Sequence, residues 1–324
     1  MKNNSKILNI DSRDISKKIE KNSVDFIIFS PPYWNLRNYG FDEQIGFKEN
    51  YEEYLSSMKA VFQNLYKVLS NKRFMAINIG TVVSKEGMKF TSGDFIRLSE
   101  EVGFKFRKDI IWHKPKGTTK WQRGATQFTQ NPYPFMYNTN INHEYILIFS
   151  KGNIEANKNK KSEKPFGRTF TRKMAYSVWD IPPVNSPKLD EKHVAPFPIE
   201  IPIRLISLYS RKGDIILDPF AGSGTSNQAA LLLGRKTIAV EKSKEYCNLI
   251  KKKIKSTKFN SYDQTEFFDD SIEFQLSQID QEIVKFEKKI KNSLLKKKKI
   301  LKKNHTKEKG TEDLTSLIQK EIDL

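Results

Sequence analysis

Two short stretches of the chain carry residue types whose order could do chemistry. The first is Ser30-Pro31-Pro32-Tyr33, which follows the apolar run Val24 to Phe29 and ends it abruptly. Two consecutive prolines fix φ and remove two backbone donors. The Ser30 hydroxyl, the free carbonyls around Pro31 and the Tyr33 ring are therefore expected in one rigid loop beyond the end of the strand. An isolated Pro-Pro usually marks a turn, so the second stretch carries more weight. That stretch is Asp218-Pro219-Phe220-Ala221-Gly222-Ser223-Gly224-Thr225, set between the run Ile215-Ile216-Leu217 and an Ala/Leu-rich segment reaching Leu233. Gly222 and Gly224 let backbone approach a ligand closely, and the free amides of the following helix favour a carboxylate or another anionic group. Thr237-Ile238-Ala239-Val240 then ends in Glu241. An acid after the second strand of a βαβ unit is placed to accept ribose hydroxyls. A dinucleotide fingerprint requires a third glycine where Asn227 stands, and no Gly-Lys-Ser/Thr phosphate loop is present. A nucleoside ligand without a pyrophosphate fits these residues.

The two stretches need strands and helices to hold them. Val24 to Phe29 is short, β-branched and aromatic, which reads as a strand buried on both faces of a parallel sheet. Its loop then lies at the carboxyl end, where open α/β sheets bind ligands. Strands are predicted at 7–10, 24–29, 73–80, 105–112, 143–149, 214–218 and 236–240, seven in all, with Asp11 at the end of the first. Apolar residues at helical spacing predict helices over Tyr51 to Leu69, Asp94 to Glu101 and Ile199 to Ser210, and a helical turn over Ile15 to Glu20. Such alternation is βαβ construction. Trp34 is placed either as a second wall beside Tyr33 or as core.

The chain of 324 residues carries a formal net charge of +19 and one cysteine, Cys247. The charge points to a polyanionic partner or an anionic surface, with nucleic acid foremost. One cysteine excludes an intrachain disulfide and a multi-cysteine zinc site, and the histidines show no metal-ligand spacing. No run is long enough for a membrane span and no signal-peptide core follows Met1, so a cytoplasmic protein is expected. Residues 114–137 interleave Lys114, Lys116, Lys120 and Arg123 with Trp121 and other aromatics. Such a mixture suits phosphate contacts and base stacking, or else a solvated loop with anchoring rings. Residues 151–190, polar and holding Arg168, Arg172 and Lys173, read as an inserted, partly mobile recognition region.

In this order the two stretches resemble the motifs of the amino-methylating DNA methyltransferases, the N4-cytosine/N6-adenine family, in the permuted beta class whose catalytic loop precedes its cofactor loop. The resemblance spans Ile7 to about Lys258. Ser30-Pro31-Pro32-Tyr33 is similar to the catalytic motif, and Asp218 to Thr225 to the motif for S-adenosylmethionine. Ala195-Pro196-Phe197-Pro198 resembles the segment that flanks the methionine moiety, Glu241 the ribose-binding acid, and Asp11 the adenine-side acid. The family's fold is a mostly parallel, seven-stranded, Rossmann-like α/β sheet. The resemblance thus implies residues 1–150 as a catalytic half, 151–190 as the target-recognition region and 191–258 as the cofactor half. It also implies double-stranded DNA as substrate, and admits a cognate restriction endonuclease and a homodimer as further partners.

Amino-group chemistry is consistent with these residues. The lone pair of an exocyclic nitrogen is conjugated with the base, so acceptors must draw on both amino hydrogens to turn it toward a methyl donor. Ser30 Oγ and the Pro31 carbonyl suit that task, while Tyr33 stacks on the extruded base. A serine at the first motif position resembles the N4-cytosine enzymes, adenine enzymes more often carrying Asp or Asn; cytosine N4 is favoured, with adenine N6 as the alternative. Methylation at cytosine carbon 5 requires a cysteine nucleophile, and Cys247 reads as a core thiol. A non-catalytic nucleic-acid-binding protein on the same scaffold, and an enzyme acting on RNA or protein amino groups, are the competing readings. Beyond Lys258, apolar residues from Leu276 to Leu301 at three-four spacing with the basic run Lys296 to Lys299 predict a basic helical extension over 259–324. That helix reads first as a solvated lysine-rich helix with one packed stripe, and could otherwise pack on the catalytic domain, pair with another chain or lie along DNA phosphates.

Overall fold

The computed structural model describes residues 4–35, 44–84, 87–115, 141–154, 174–184 and 197–261, with residue 293. The chain divides into two units, Met1–Thr265 and Glu266–Leu324. The strands and helices with described bounds all belong to the first unit, and the helix predicted from Leu276 to Leu301 lies, residue 293 apart, outside the described residues. No helix among the described residues is long and apolar enough to cross a membrane.

In chain order the strands are β1 (Ser5–Leu8), β2 (Val24–Phe29), β3 (Leu69–Ile79), β4 (Val82–Ser84), β5 (Gly87–Lys89), β6 (Phe104–His113), β7 (His143–Lys151), β8 (Val178–Asp180), β9 (Ile215–Asp218) and β10 (Lys236–Val240). The helices are α1 (Tyr51–Val68), α2 (Thr91–Val102), α3 (Glu200–Tyr209), α4 (Thr225–Leu232) and α5 (Lys244–Ser256). A mixed sheet runs β1-β10-β9-β2-β3-β7-β6-β8, and β4 and β5 form a separate hairpin. All neighbours in the large sheet are parallel except β7, which is antiparallel to both β3 and β6.

The sheet has eight strands rather than the seven expected. The added strand is β8, whose Val-Trp-Asp is too short to read within a polar stretch and is held by pairing with Ile111 to His113. β1 also starts and ends earlier than the expected 7–10. Asn9 instead turns its amide to the carbonyls of Glu241 and Lys242, and Asp11 caps a 3₁₀ segment over Ser12–Lys17 in place of the helical turn at 15–20.

Local chemistry explains the rest. β2 buries Val24 and Phe26 to Phe29 and lies in the middle of the sheet, as its near-continuous apolar run requires. α1 begins with a capping box, in which Asn50 Oδ1 accepts from Glu53 N–H and Glu53 accepts from Asn50 N–H. Its buried face, including Tyr54, Met58, Phe62 and Leu65, belongs to the same core as Phe29 and Met75.

The far end of α1 is closed by a lysine. Lys151 is 5 % exposed and donates to Tyr66 O, Leu69 O and Asn22 Oδ1 at 2.6, 2.7 and 2.7 Å. Burial pushes its ammonium down from its ordinary value, with Lys21 adding to the effect. Lys151→Met strips donors from buried carbonyls, and a loss of about 3 kcal/mol in chemical denaturation is expected.

Candidate active site

β2 and β9 are parallel neighbours, with Ile27 opposite Leu217. After β2 the chain continues to β3 on one side, and after β9 to β10 on the other. The carboxyl ends of β2 and β9 therefore flank the switch point of the sheet, where a crevice opens. This is why two stretches far apart in sequence meet: Ser30 to Tyr33 leave β2 where Asp218 to Thr225 leave β9. Phe29 and Phe220 touch across the junction, with ring centroids 5.7 Å apart. One cavity of about 420 Å³ is faced by both loops, within the range of small-molecule sites.

On the β9 side the loop is shaped by its glycines. Gly222 and Gly224 have φ of +49° and +80°, the left-handed region. Gly224 does not face the cavity; a Cβ there would stand 3.1 Å from Ile250, so the residue lets α5 pack against the start of α4. Asp218, Phe220, Ala221, Gly222, Ser223 and Thr225 do face it, as does Phe197. The Glu241 carboxylate accepts from Gly222 N–H at 2.9 Å and Ser243 N–H at 2.8 Å. Burial raises its pKa, the backbone donors opposing. Burial also pushes the Asp218 carboxyl up to about 7, against a hydrogen bond from Phe220 N–H and with the Glu241 charge adding to the rise.

Asp11 reaches the same cavity from the end of β1. Burial raises its carboxyl, yet donors from Arg13 and Lys242 outweigh burial and bring it down to about 2. Ser12 Oγ donates to Pro219 O at 2.5 Å, tying this segment to the β9 loop. Ser12, Lys242 and Tyr246 also face the cavity and belong to no motif read in the sequence.

On the β2 side Ser30, Pro31, Pro32 and Tyr33 all face the cavity. The Tyr33 phenol donates to Glu144 Oε2 at 2.8 Å and accepts from Gly80 N–H at 3.1 Å. Burial first, and then the Glu144 charge, hold its pKa well above the ordinary value, so it remains a donor. Trp34 is core: it is 7 % exposed, donates from Nε1 to Glu49 O and packs edge-on against Tyr51.

Lys114 was expected among cations lying along DNA. It stands in the cavity wall, 2.5 Å from Glu144 Oε1 and over the Trp112 ring. Trp112 in turn donates from Nε1 to Ile181 O, which fixes the segment after β8 and sets Pro183 and Val184 at the cavity. Glu144 and Asn78 were not anticipated at all. Lys116, Lys120, Trp121, Arg123, Arg168, Arg172 and Lys173, together with Ala195 and Pro196, lie outside the described residues. Cys247 is buried in α5, donates from Sγ to Glu241 O and does not face the cavity.

The chain is similar to the type II methyltransferase M.MjaI of Methanocaldococcus jannaschii, 30 % identical over 284 residues that cover 78 % of this chain and 91 % of the relative. It is similar to M.SmaI of Serratia marcescens at 25 % identity, covering 77 % and 90 %. Among solved structures, TTHA0409 of Thermus thermophilus, a putative DNA modification methylase in complex with S-adenosyl-L-methionine, matches with a TM-score of 0.58. Its identity is 26 %, with 76 % of this chain and 93 % of that one covered. A model of the N6/N4 methyltransferase family, described as DNA methylase, matches residues 24–252. Because that match takes in both loops and the greater part of the sheet between them, the protein belongs to the N6/N4 DNA methylase family.

Proposed function

We propose that the protein transfers a methyl group from S-adenosylmethionine to the exocyclic amino group of a DNA base extruded from the duplex, cytosine N4 in preference to adenine N6. The observation that carries this reading is the single cavity faced by both loops, with a rigid acceptor set at one end and a nucleoside-compatible cradle at the other.

The residues of the cradle fit the cofactor. Phe197, Phe220 and Ala221 offer apolar surface to a purine, the Glu241 carboxylate offers acceptor capacity to ribose hydroxyls, and the first amides of α4 favour a carboxylate. The neighbouring structure of TTHA0409 was determined with S-adenosyl-L-methionine. When bound, the cofactor supplies a methyl group made electrophilic by its sulfonium.

The chain supplies position. Ser30 Oγ and the Pro31 carbonyl accept from the amino hydrogens of the base, which frees the nitrogen lone pair from conjugation. The Tyr33 ring stacks on the base and offsets part of the few kcal/mol that extrusion costs. Direct transfer then depends on orientation more than on a strong base. Cys247, buried and away from the cavity, is unsuited to the carbon-5 reaction. Ser30 at the first motif position favours cytosine over adenine. A cognate endonuclease is part of the proposal, since the relatives named above are type II methyltransferases.

Incubation with methyl-labelled S-adenosylmethionine and either duplex DNA or structured RNA tests the substrate class. Label in DNA and little in RNA is expected; label confined to RNA contradicts the proposal.

A further inference from the structure

Glu144 belongs to neither motif, yet three groups at the Tyr33 end of the cavity converge on it. Its Oε2 accepts from the Tyr33 phenol at 2.8 Å and from Asn78 Nδ2 at 2.6 Å, and its Oε1 accepts from Lys114 Nζ at 2.5 Å. The donors come from the loop after β2, the end of β3 and the residue after β6. Glu144 can reach all three because β7 runs antiparallel between β3 and β6, with Glu144 opposite Trp112 and Ile146 opposite Asn78. The Glu144 and Lys114 side chains are only 14 % and 18 % exposed. An ion pair so far withdrawn from water is weak evidence for stability, because apolar residues of similar size commonly serve as well.

We propose that Glu144 is a positioning residue for methyl transfer, locking the Tyr33 ring and the Asn78 amide in the orientation that receives the extruded base. The inference rests on the amino-methyltransferase reading above. A tyrosine ring at the wall of a cavity is free to swing about χ1 unless its tip is held. Here the tip is held by Glu144 as acceptor and by Gly80 N–H as donor, with the Ser30 side chain hydrogen-bonded to it as well. The same carboxylate settles the Asn78 amide, whose nitrogen end must face the anion. That orientation leaves Asn78 Oδ1 as the outstanding acceptor. Asn78 is 4 % exposed and faces the cavity, and its Oδ1 is buried with no hydrogen-bond partner. A buried acceptor without a donor is costly. A ligand group that brings an N–H into this part of the cavity supplies the donor it lacks.

The test compares Glu144→Gln, Tyr33→Phe and the double variant with the wild type, measuring kcat and KM on duplex DNA and the Kd of S-adenosylmethionine by calorimetry. Glutamine keeps the shape of Glu144 but meets Lys114 and Asn78 with half the acceptor capacity. Glu144→Gln is expected to lower kcat by about tenfold or more while the cofactor Kd stays within about twofold of the wild type. Because Tyr33→Phe removes the phenol that Glu144 holds, the double variant is expected to fall no more than about twofold below the worse single one. A Glu144→Gln kcat within about twofold of the wild type overturns the inference, and so do losses that multiply in the double variant. Loss of cofactor binding in Glu144→Gln would make the residue merely structural and also overturns it. A wild-type protein that binds cofactor but methylates no base refutes the underlying reading instead, and this inference falls with it.

Discussion

Tyr33→Ala is expected to lower the rate of methyl transfer by roughly ten- to a hundredfold while leaving cofactor affinity near that of the wild type. The size follows from stacking, about 1–3 kcal/mol per base on an aromatic platform. The separation of the two readouts follows from the cavity. Tyr33 stands with Ser30 and Lys114, whereas Phe220 and the start of α4 belong to the β9 loop and Glu241 follows β10. Removing the ring also leaves Glu144 without one of its donors and Gly80 N–H without its acceptor, so part of the loss is disorder at the same wall. Single-turnover kinetics on duplex DNA, paired with calorimetry of cofactor binding, checks both halves. A cofactor affinity that collapses together with the rate would place Tyr33 in the wrong part of the cavity.

The second large effect is a pH dependence of stability centred on Asp218. Its folded carboxyl is pushed up to about 7 from an ordinary value of 3.8, chiefly by burial. A raised folded pKa means that the native state holds the proton over a range where the unfolded chain has lost it. Unfolding free energy therefore falls as pH rises through that range. The contribution is fully present below about pH 4 and lost by about pH 8, and the shift of about three units corresponds to roughly 4 kcal/mol. Asp218→Asn keeps an oxygen to accept from Phe220 N–H but cannot ionise. Its stability relative to the wild type is therefore expected to climb by about that amount between the two pH values, whatever constant offset the substitution brings. Urea denaturation of both proteins at several pH values measures the slope, and parallel curves would contradict it.

Much of the site was legible in the sequence because its two loops are written in local chemistry. A strand cut off by Ser-Pro-Pro, and a strand followed by two glycines and a helix, announce their own conformations, and sheet topology does the rest by making β2 and β9 neighbours. Glu144 was not legible for the opposite reason. Its partners Lys114, Asn78 and Tyr33 lie 30, 66 and 111 residues away. Nothing local distinguishes an acid near the start of the strand His143–Lys151 from an exposed one. Lys114 opens a sequence stretch full of cations, and its place in the cavity beside Trp112 comes from the end of β6 rather than from that neighbourhood. The strand β8 and the hairpin of β4 and β5, three residues each, carry too little pattern to be read and depend on tertiary pairing. The remaining basic residues expected along DNA lie outside the described part of the chain.

The central claim is that a base amino group, and cytosine N4 above all, receives the methyl group. The direct measurement is mass spectrometry of nucleosides from mixed-sequence duplex DNA incubated with the protein and methyl-labelled S-adenosylmethionine, with Tyr33→Ala as the control. Labelled N4-methylcytosine that falls away in the control is the predicted result. Labelled N6-methyladenine alone would contradict the choice of base while keeping the amino-group mechanism, and label at cytosine carbon 5, or on no nucleoside although cofactor binds, would contradict the account itself.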